Sequence, residues 1–557
     1  MSAKGRIARA AGVMSIATFI SRILGYIKDM ILAGIFGATA VADAFFVAFR
    51  IPNLLRELFA EGSMSSAFVP VLTEYQTKHG HEEANRLARS VFLFILVAVG
   101  LLCVLGIVFA PALVTVIAPG FLDDPGKFST AVLLTRIMFP FLLFISLAAL
   151  AMGALNTRRV FFIPALAPAM LNVVTIVCVL SLADRFESPI IAVAVGIVAG
   201  GLVQFLFQVP SFLKQGYYFF RGRQSAVGNQ PSAVSHQPLP GIHHASRPLW
   251  HPGLKRIGIL VIPATAGLAV NQINIFISTI LASYLPEGSI TYLYYSMRLI
   301  QFPIGIFGVA MGMAVLPALS EHSVRGEMDK LKEDFSFALR LLFFITIPAM
   351  AGLIALKIPI VATLFQRGRF GPEATIATAD ALMFYALGIG AIVGVRTIAA
   401  AFYSIQDTRT PVKVAAAAML VNIGLSLLLM GPMQHKGLAL ANALAAGVNF
   451  LMLFSLLRTR LGGMGAAGIG LSFGKTLLAS AVMGAAGWSA AQSDLWMASG
   501  QGLYKAAYLG GAMAFCMVVY FTAAYLLKSE EMGYIINKVR SKRLESRIQN
   551  SGARSQE

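Results

Sequence analysis

Charge is what this sequence most lacks beside a soluble protein. Only 12% of its 557 residues are Asp, Glu, Lys or Arg, against roughly 25% in soluble domains, and 57% are hydrophobic. Apolar stretches of 18 or more residues recur along nearly the whole length. Each is long enough to cross a hydrocarbon core about 30 Å thick, which excludes a soluble fold. Cysteine is scarce as well: Cys103, Cys178 and Cys516 sit singly inside apolar runs, as small buried hydrophobes do, and not as a disulfide framework or a metal cluster. Missing too are a nucleophile–base constellation, a phosphate-gripping glycine loop and a quartet of metal ligands. An enzyme with covalent chemistry, a cofactor or a bound metal is therefore not expected.

What is there is an all-α polytopic membrane protein with about 14 transmembrane helices. Apolar runs extend from residues 11–36 to 504–527. The first has a basic lead-in (Lys4, Arg6, Arg9) but no small-residue cleavage site, so it is expected to stay as the first span and not to leave as a signal peptide. With the N-terminus inside, the cytosolic segments carry 28 Lys and Arg residues. The opposite side carries seven: Lys127, Arg136, Arg185, Lys357, Arg367, Arg369 and Lys436. This bias places both termini in the cytosol. The formal charge of +19 then reads as topology plus attraction to anionic headgroups, and nucleic acid is not an expected partner.

The chain also repeats itself. Phe68-Val-Pro-Val-Leu-Thr-Glu-Tyr75 resembles Val315-Leu-Pro-Ala-Leu-Ser-Glu-His322, 247 positions later. Arg50-Ile-Pro matches Arg298 followed by Phe302-Pro303, and Met170-Leu-Asn172 matches Met419-Leu-Val-Asn422. The period is about 250 residues and the two copies run parallel, six helices each. Transporters built from such repeats hold substrate between the halves near the midplane and rock them. The expected organisation is an N-terminal lobe over 1–213, a cytosolic linker over 214–256, a C-terminal lobe over 257–457, two further spans over 458–527 and a basic cytosolic tail over 528–557. The linker contains His236, His243, His244 and His251, whose spacing fixes no metal geometry, so it reads as a flexible polar loop.

The informative residues are charges where none should be. Arg22, Lys28 and Asp29 lie inside the first span, and Arg50, Arg56, Glu57 and Glu61 inside the second. Each would cost roughly 2.5–3.5 kcal/mol facing lipid, so they must line a watery cavity or pair with one another. On an ideal helix Arg22 and Asp29 share a face while Lys28 points about 100° aside. Arg298 in the eighth span poses the same problem, with Gln301 and Asn274 as its nearest polar company in the sequence. A cavity ringed by Arg22, Lys28, Arg50, Arg56 and Arg298 against Asp29, Asp43 and Glu61 suits a di-anion, and arginine offers the forked donors that phosphate accepts. The blander alternative is snorkelling and internal ion pairing, strongest for Glu57 and then Arg56. Arg396 reads equally as an ion-pair member or a snorkeller. Gly196, Gly200, Gly201, Gly388, Gly390 and Gly394 read as close-packing sites, and Asp407-Thr-Arg-Thr-Pro411 as the turn into the eleventh span.

At Ser21-Arg-Ile-Leu-Gly25, Asp43-Ala-Phe-Phe-Val-Ala-Phe-Arg-Ile-Pro-Asn53-Leu-Leu-Arg56 and Phe59-Ala-Glu-Gly-Ser63 the sequence closely resembles the MurJ (MviN) family of lipid II flippases. That family belongs to the multidrug/oligosaccharidyl-lipid/polysaccharide exporter superfamily. The likeness runs on through Tyr294-Tyr295, Arg298, Phe302-Pro303 and Phe402-Tyr403-Ser404. It implies two six-helix lobes plus two C-terminal helices forming a lipid-facing groove. It also implies that Arg22, Asp29, Asp43, Arg56, Glu61 and Arg298 match cavity and gate positions. The sequence departs from the family's common pattern at Lys28, where Arg is frequent, at Arg50, where Lys is frequent, and at Gln301, where an acid is often found. With Asn53 from the second-span motif these residues complete the candidate substrate-binding set.

The expected function is transfer of the undecaprenyl-diphosphate-linked disaccharide-pentapeptide, lipid II, from the cytoplasmic to the periplasmic leaflet. Alternating access would be coupled to membrane potential or an ion gradient, with membrane lipids and cell-wall synthesis proteins as partners. An exporter of another polyprenyl-linked glycan or a drug keeps the same fold, though a drug exporter would favour an acid-lined cavity. A membrane transferase would need an acidic or His-based catalytic cluster that the sequence lacks.

Overall fold

The computed structural model describes residues 3–57, 67–219, 251–305, 309–498, 500–538 and 541. Glu61 and most of the predicted linker and tail, including His236, His243 and His244, lie outside the described residues. The architecture is all-helical, and ten helices among the described residues are long and apolar enough to cross a membrane. The protein is a multi-pass membrane protein. Two more helices, of 34 and 32 residues, also exceed the roughly 20 residues that a crossing needs.

In chain order the helices are α1 (Ala3–Phe36), α2 (Ala40–Arg56), α3 (Val69–Lys78), α4 (Gly80–Val108), α5 (Ala110–Ile117), α6 (Pro125–Met138), α7 (Phe141–Thr157), α8 (Phe162–Leu182), α9 (Ile190–Lys214) and α10 (Pro252–Ser283). They continue as α11 (Ser289–Pro303), α12 (Val309–Val324), α13 (Met328–Ala355), α14 (Lys357–Phe365), α15 (Pro372–Ala386), α16 (Ile389–Ser404), α17 (Arg409–Met433), α18 (His435–Leu461), α19 (Ala466–Ala490) and α20 (Gly502–Leu526). The chain divides into two compact units, one of residues 1–31 with 44–273 and one of residues 32–43 with 274–557.

The internal repeat is visible in where helices break. The long α4 is followed by the short α5, and the long α13 by the short α14. The fourth span is α6 and α7 in series, interrupted at Phe139-Pro140, and the tenth is α15 and α16, interrupted at Leu387-Gly388. Each series covers 33 residues. Proline removes a backbone donor and crowds the preceding turn, which accounts for the first break.

In the first unit α9 packs against α7 and α8 at very short range. A Cβ built on Gly200 would lie 2.9 Å from the Leu171 carbonyl oxygen, and one on Gly201 would lie 2.7 Å from the Phe141 ring. In the second unit a Cβ on Gly388 would lie 3.0 Å from Ala443 Cα, and one on Gly394 2.6 Å from Phe450. Only glycine lets these helix backbones approach so closely, the usual device where lipid supplies no hydrophobic drive.

A polar tether repeats as well. Asn172 on α8 donates from Nδ2 to the Ser21 carbonyl of α1 at 3.3 Å, inside the first unit. Asn422 on α17 donates from Nδ2 to Asn274 Oδ1 of α10 at 2.8 Å, inside the second. Each joins the fifth span of its half to the first.

Candidate functional site

The candidate residues are held by three local arrangements. On α1 of the first unit, Arg22 is exposed, one residue after the carbonyl that Asn172 braces. Two turns further, Asp29 is 1% exposed and its Oδ1 lies 3.5 Å from Lys28 Nζ. Helical geometry alone sets Lys28 aside from Asp29, yet its four-carbon stem lets the ammonium swing to the adjacent carboxylate. Pairing keeps a buried carboxylate tolerable.

The second arrangement lies at the end of α2, also in the first unit. Asn53 donates from Nδ2 to Glu57 Oε1 at 3.0 Å and accepts from Arg56 Nε at 3.0 Å. Arg56 itself lies 3.8 Å from Glu57, and Gln272 on α10 donates to the other Glu57 oxygen at 2.5 Å. One amide thus bridges an arginine and a glutamate through both its ends. Arg50, half-buried one and a half turns earlier, shares this helix.

The third arrangement is in the second unit, where Asp43 is 1% exposed. Its Oδ2 accepts from the Gly288 amide at 2.8 Å, and its Oδ1 from the Thr291 amide at 2.9 Å and the Thr291 hydroxyl at 2.7 Å. Those amides open α11, so Asp43 performs a capping role from 245 positions away. Charge at a helix N-terminus is stabilised by the amides left unpaired there. The capping is reciprocal, since Glu287 accepts from the Ala40 amide that begins α2 at 2.6 Å. Gly288 fits because φ is +86° at that position, a left-handed conformation that side chains with Cβ avoid. Arg298, half-buried, and Gln301, exposed, follow on the same helix.

The structure therefore brings together Lys28 with Asp29, Asn53 with Arg56 and Glu57, and Asp43 with the start of the helix that bears Arg298. Thr291, Glu287 and Gln272 were not singled out from sequence, and Asn172 entered only as a member of the repeated Met-Leu-Asn pattern. A signal was there for the first two, since Gly288 before an apolar run marks a helix start. Nothing in the pattern marks Gln272.

Outside these groups, Arg396 is exposed on α16, with no acidic partner among the described residues. Asp407 caps α17 by accepting from the amides of Arg409 and Thr410 at 3.1 and 3.0 Å and from the Thr410 hydroxyl at 2.6 Å. It also pairs with Arg460. The Thr410 hydroxyl, above all, holds its carboxyl below the usual carboxylate range. His251, at the edge of the predicted linker, lies 3.0 Å from Glu83. Among the described residues no three His, Cys, Asp or Glu side chains gather as metal ligands would.

Comparison with known proteins converges on one family. A family model described as lipid II flippase MurJ matches residues 32–501. A probable lipid II flippase MurJ of Vibrio cholerae is 36% identical over 459 residues, covering 81% of this chain and 82% of its own. A lipid II flippase MurJ of Burkholderia cenocepacia is 36% identical, covering 81% and 84%. Among solved structures, lipid II flippase MurJ in an inward closed conformation aligns with TM-score 0.72 at 27% identity, covering 92% of this chain and 98% of that one. A multidrug resistance MATE family transporter of the MOP superfamily, inward-facing, aligns with TM-score 0.63 at 15% identity over 82% of this chain and 99% of its own. At that identity the likeness is one of fold.

Proposed function

The chain belongs to the lipid II flippase MurJ family, and we propose that it carries lipid II, the undecaprenyl-diphosphate-linked cell-wall precursor, from the cytoplasmic to the periplasmic leaflet. The observation that carries the cationic-site reading is Arg22. It is exposed on α1 with no carboxylate partner among the described residues, while the nearest acid on its helix, Asp29, is taken by Lys28. A cation kept within a membrane span and left accessible is costly unless it meets water or an anionic ligand. A diphosphate is such a ligand, and the forked guanidinium matches its oxygens.

In this reading no covalent bond is made or broken. Cationic side chains take the diphosphate and its sugar head while the polyprenyl tail stays in lipid, and alternating access, the mode of transporters built from such repeats, exposes the head to the other side. The membrane potential is worth about 2.3 kcal/mol per charge per 100 mV, enough to bias a charged cavity between two states. The Lys and Arg excess supports cytosolic termini. The test is depletion of the native protein in its host followed by a protection assay for which leaflet holds the precursor. Accumulation in the cytoplasmic leaflet, reversed by re-expression, is expected; an unchanged distribution rejects the function.

A further inference from the structure

The second unit holds a cavity that the candidate residues do not line. Its volume is about 520 Å³, within the usual span of small-molecule sites. Its wall comes from α13, α14, α15 and α19, with Met350, Ile354, Met383, Leu477 and Trp488 in the apolar lining and Lys357, which opens α14, as the charged lining residue. Lys357 Nζ donates to Asp380 Oδ1 at 2.7 Å and to Met383 Sδ at 3.6 Å. The second oxygen of Asp380 lies 3.9 Å from Lys436 Nζ. Two ammonium groups thus share one carboxylate, and the cluster that Lys357 joins to the cavity is net positive. An ammonium has three donors, so Lys357 keeps one beyond these two contacts.

A second observation lies in the same wall. Ser480 is 0% exposed, lines the cavity, and its hydroxyl has no hydrogen-bond partner among the described residues. A buried hydroxyl without a partner is unfavourable, and a ligand acceptor would relieve it. Trp488, at the rim, is 62% exposed, and exposed tryptophan favours the headgroup level of a bilayer.

We propose that this cavity binds an anionic glycerophospholipid of the surrounding membrane, distinct from the transported substrate. One acyl chain fills the apolar interior. The phosphate meets Lys357 and Lys436, and the Ser480 hydroxyl donates to an ester carbonyl. Charge selects the headgroup: a zwitterionic lipid offers the same chain but brings its own ammonium to a cluster already rich in ammonium.

The experiment is native mass spectrometry of the full chain with phosphatidylglycerol, phosphatidylethanolamine and lipid II at equal concentrations. Wild type is expected to retain phosphatidylglycerol over phosphatidylethanolamine. The pair Lys357→Gln with Lys436→Gln is expected to cut that retention roughly tenfold, the worth of about one charge-assisted contact. Gly484→Phe is expected to abolish it, because a Cβ there meets nothing nearer than Ala351 Cβ at 3.9 Å and the ring enters the cavity without displacing backbone. Ser480→Ala, which changes no packing, should lower it severalfold and so decides the matter if Gly484→Phe proves unstable. Equal retention of both phospholipids by wild type overturns the proposal. So does unchanged phosphatidylglycerol retention in folded Ser480→Ala and Gly484→Phe proteins, or loss of lipid II alone in them, which would make the cavity a substrate-tail site. Arg22→Ala is the control: it should lower lipid II retention and spare phosphatidylglycerol, so failure of the transport reading shows separately.

Discussion

The carboxylate of Asp43 holds the first turn of the helix that carries Arg298, through the Thr291 amide at 2.9 Å and the Thr291 hydroxyl at 2.7 Å. Arg298 stands seven residues, or about 10 Å of helix rise, beyond that clasp. A residue that looks like a cavity acid by sequence thus also sets the direction of a candidate substrate cation.

Removing the clasp should therefore act on stability in a coupled way. Asp43→Ala and Thr291→Val are each expected to lower the melting temperature in detergent, and the double variant should lose less than the sum. A coupling of roughly 0.5–3 kcal/mol is typical for residues in direct contact. Strict additivity in the double-mutant cycle would show that the two side chains do not cooperate.

For transport, Arg22→Ala and Arg298→Ala should each abolish complementation of a flippase-depleted strain while the protein still inserts. Each is a charge inside an apolar stretch, costly unless it meets water or an anionic ligand. Full growth at normal expression with either alanine removes that residue from the site.

At the end of α2, charge and bulk can be separated. Arg56→Lys keeps a cation beside Glu57, whereas Arg56→Gln keeps only the volume and leaves Glu57 with its two amide donors. Partial activity is expected for Lys and loss of most activity for Gln, because a cation-to-phosphate contact loses its electrostatic contribution on neutralisation. Raised salt should also weaken lipid II binding in vitro by screening the longer-range attraction. Equal binding by wild type and well-folded Arg56→Gln would assign Arg56 to internal pairing alone.

Asp407 gives a pH signature outside the membrane. Its carboxyl is held below the ordinary value of 3.8, chiefly by the Thr410 hydroxyl. The folded state therefore gains stability that is fully present above that ordinary value and is lost as pH falls through the lowered one. Thermal unfolding followed downward from pH 6 should fall more steeply for wild type below about pH 4 than for Asp407→Asn, which has no proton to take up. Parallel curves would show that the cap carries no differential protonation.

How far the sequence alone reached depended on the kind of signal. Long apolar runs mark spans because a bilayer demands them, and the glycines at 200, 201, 388 and 394 were legible because few other roles suit glycine in an apolar helix. The interruptions at Phe139-Pro140 and Leu387-Gly388 were not, since hydropathy runs through them unbroken. Among the candidate site residues, intramembrane charge singled out Arg22, Lys28, Asp29, Arg56 and Arg298 by its cost. The roles of Asn53 as a two-ended bridge and of Asp43 as a remote cap depend on contacts far along the chain or on side-chain direction. Hydropathy carries neither. Gln272 reaches Glu57 from 215 positions away, and a single glutamine in a span announces nothing.

The paired asparagine tethers bear on how such a chain is made. Asn172 reaches back 151 positions to Ser21, and Asn422 reaches back 148 to Asn274. Each bond closes inside its own half. The first can thus form once the fifth span has left the ribosome, before any of the second half exists, and the second needs nothing from the first. Biosynthesis is thereby divided into two similar acts of assembly, each with its own polar tether, while the contacts of Glu57 with Gln272 and of Asp43 with Thr291 wait for the later helices to emerge.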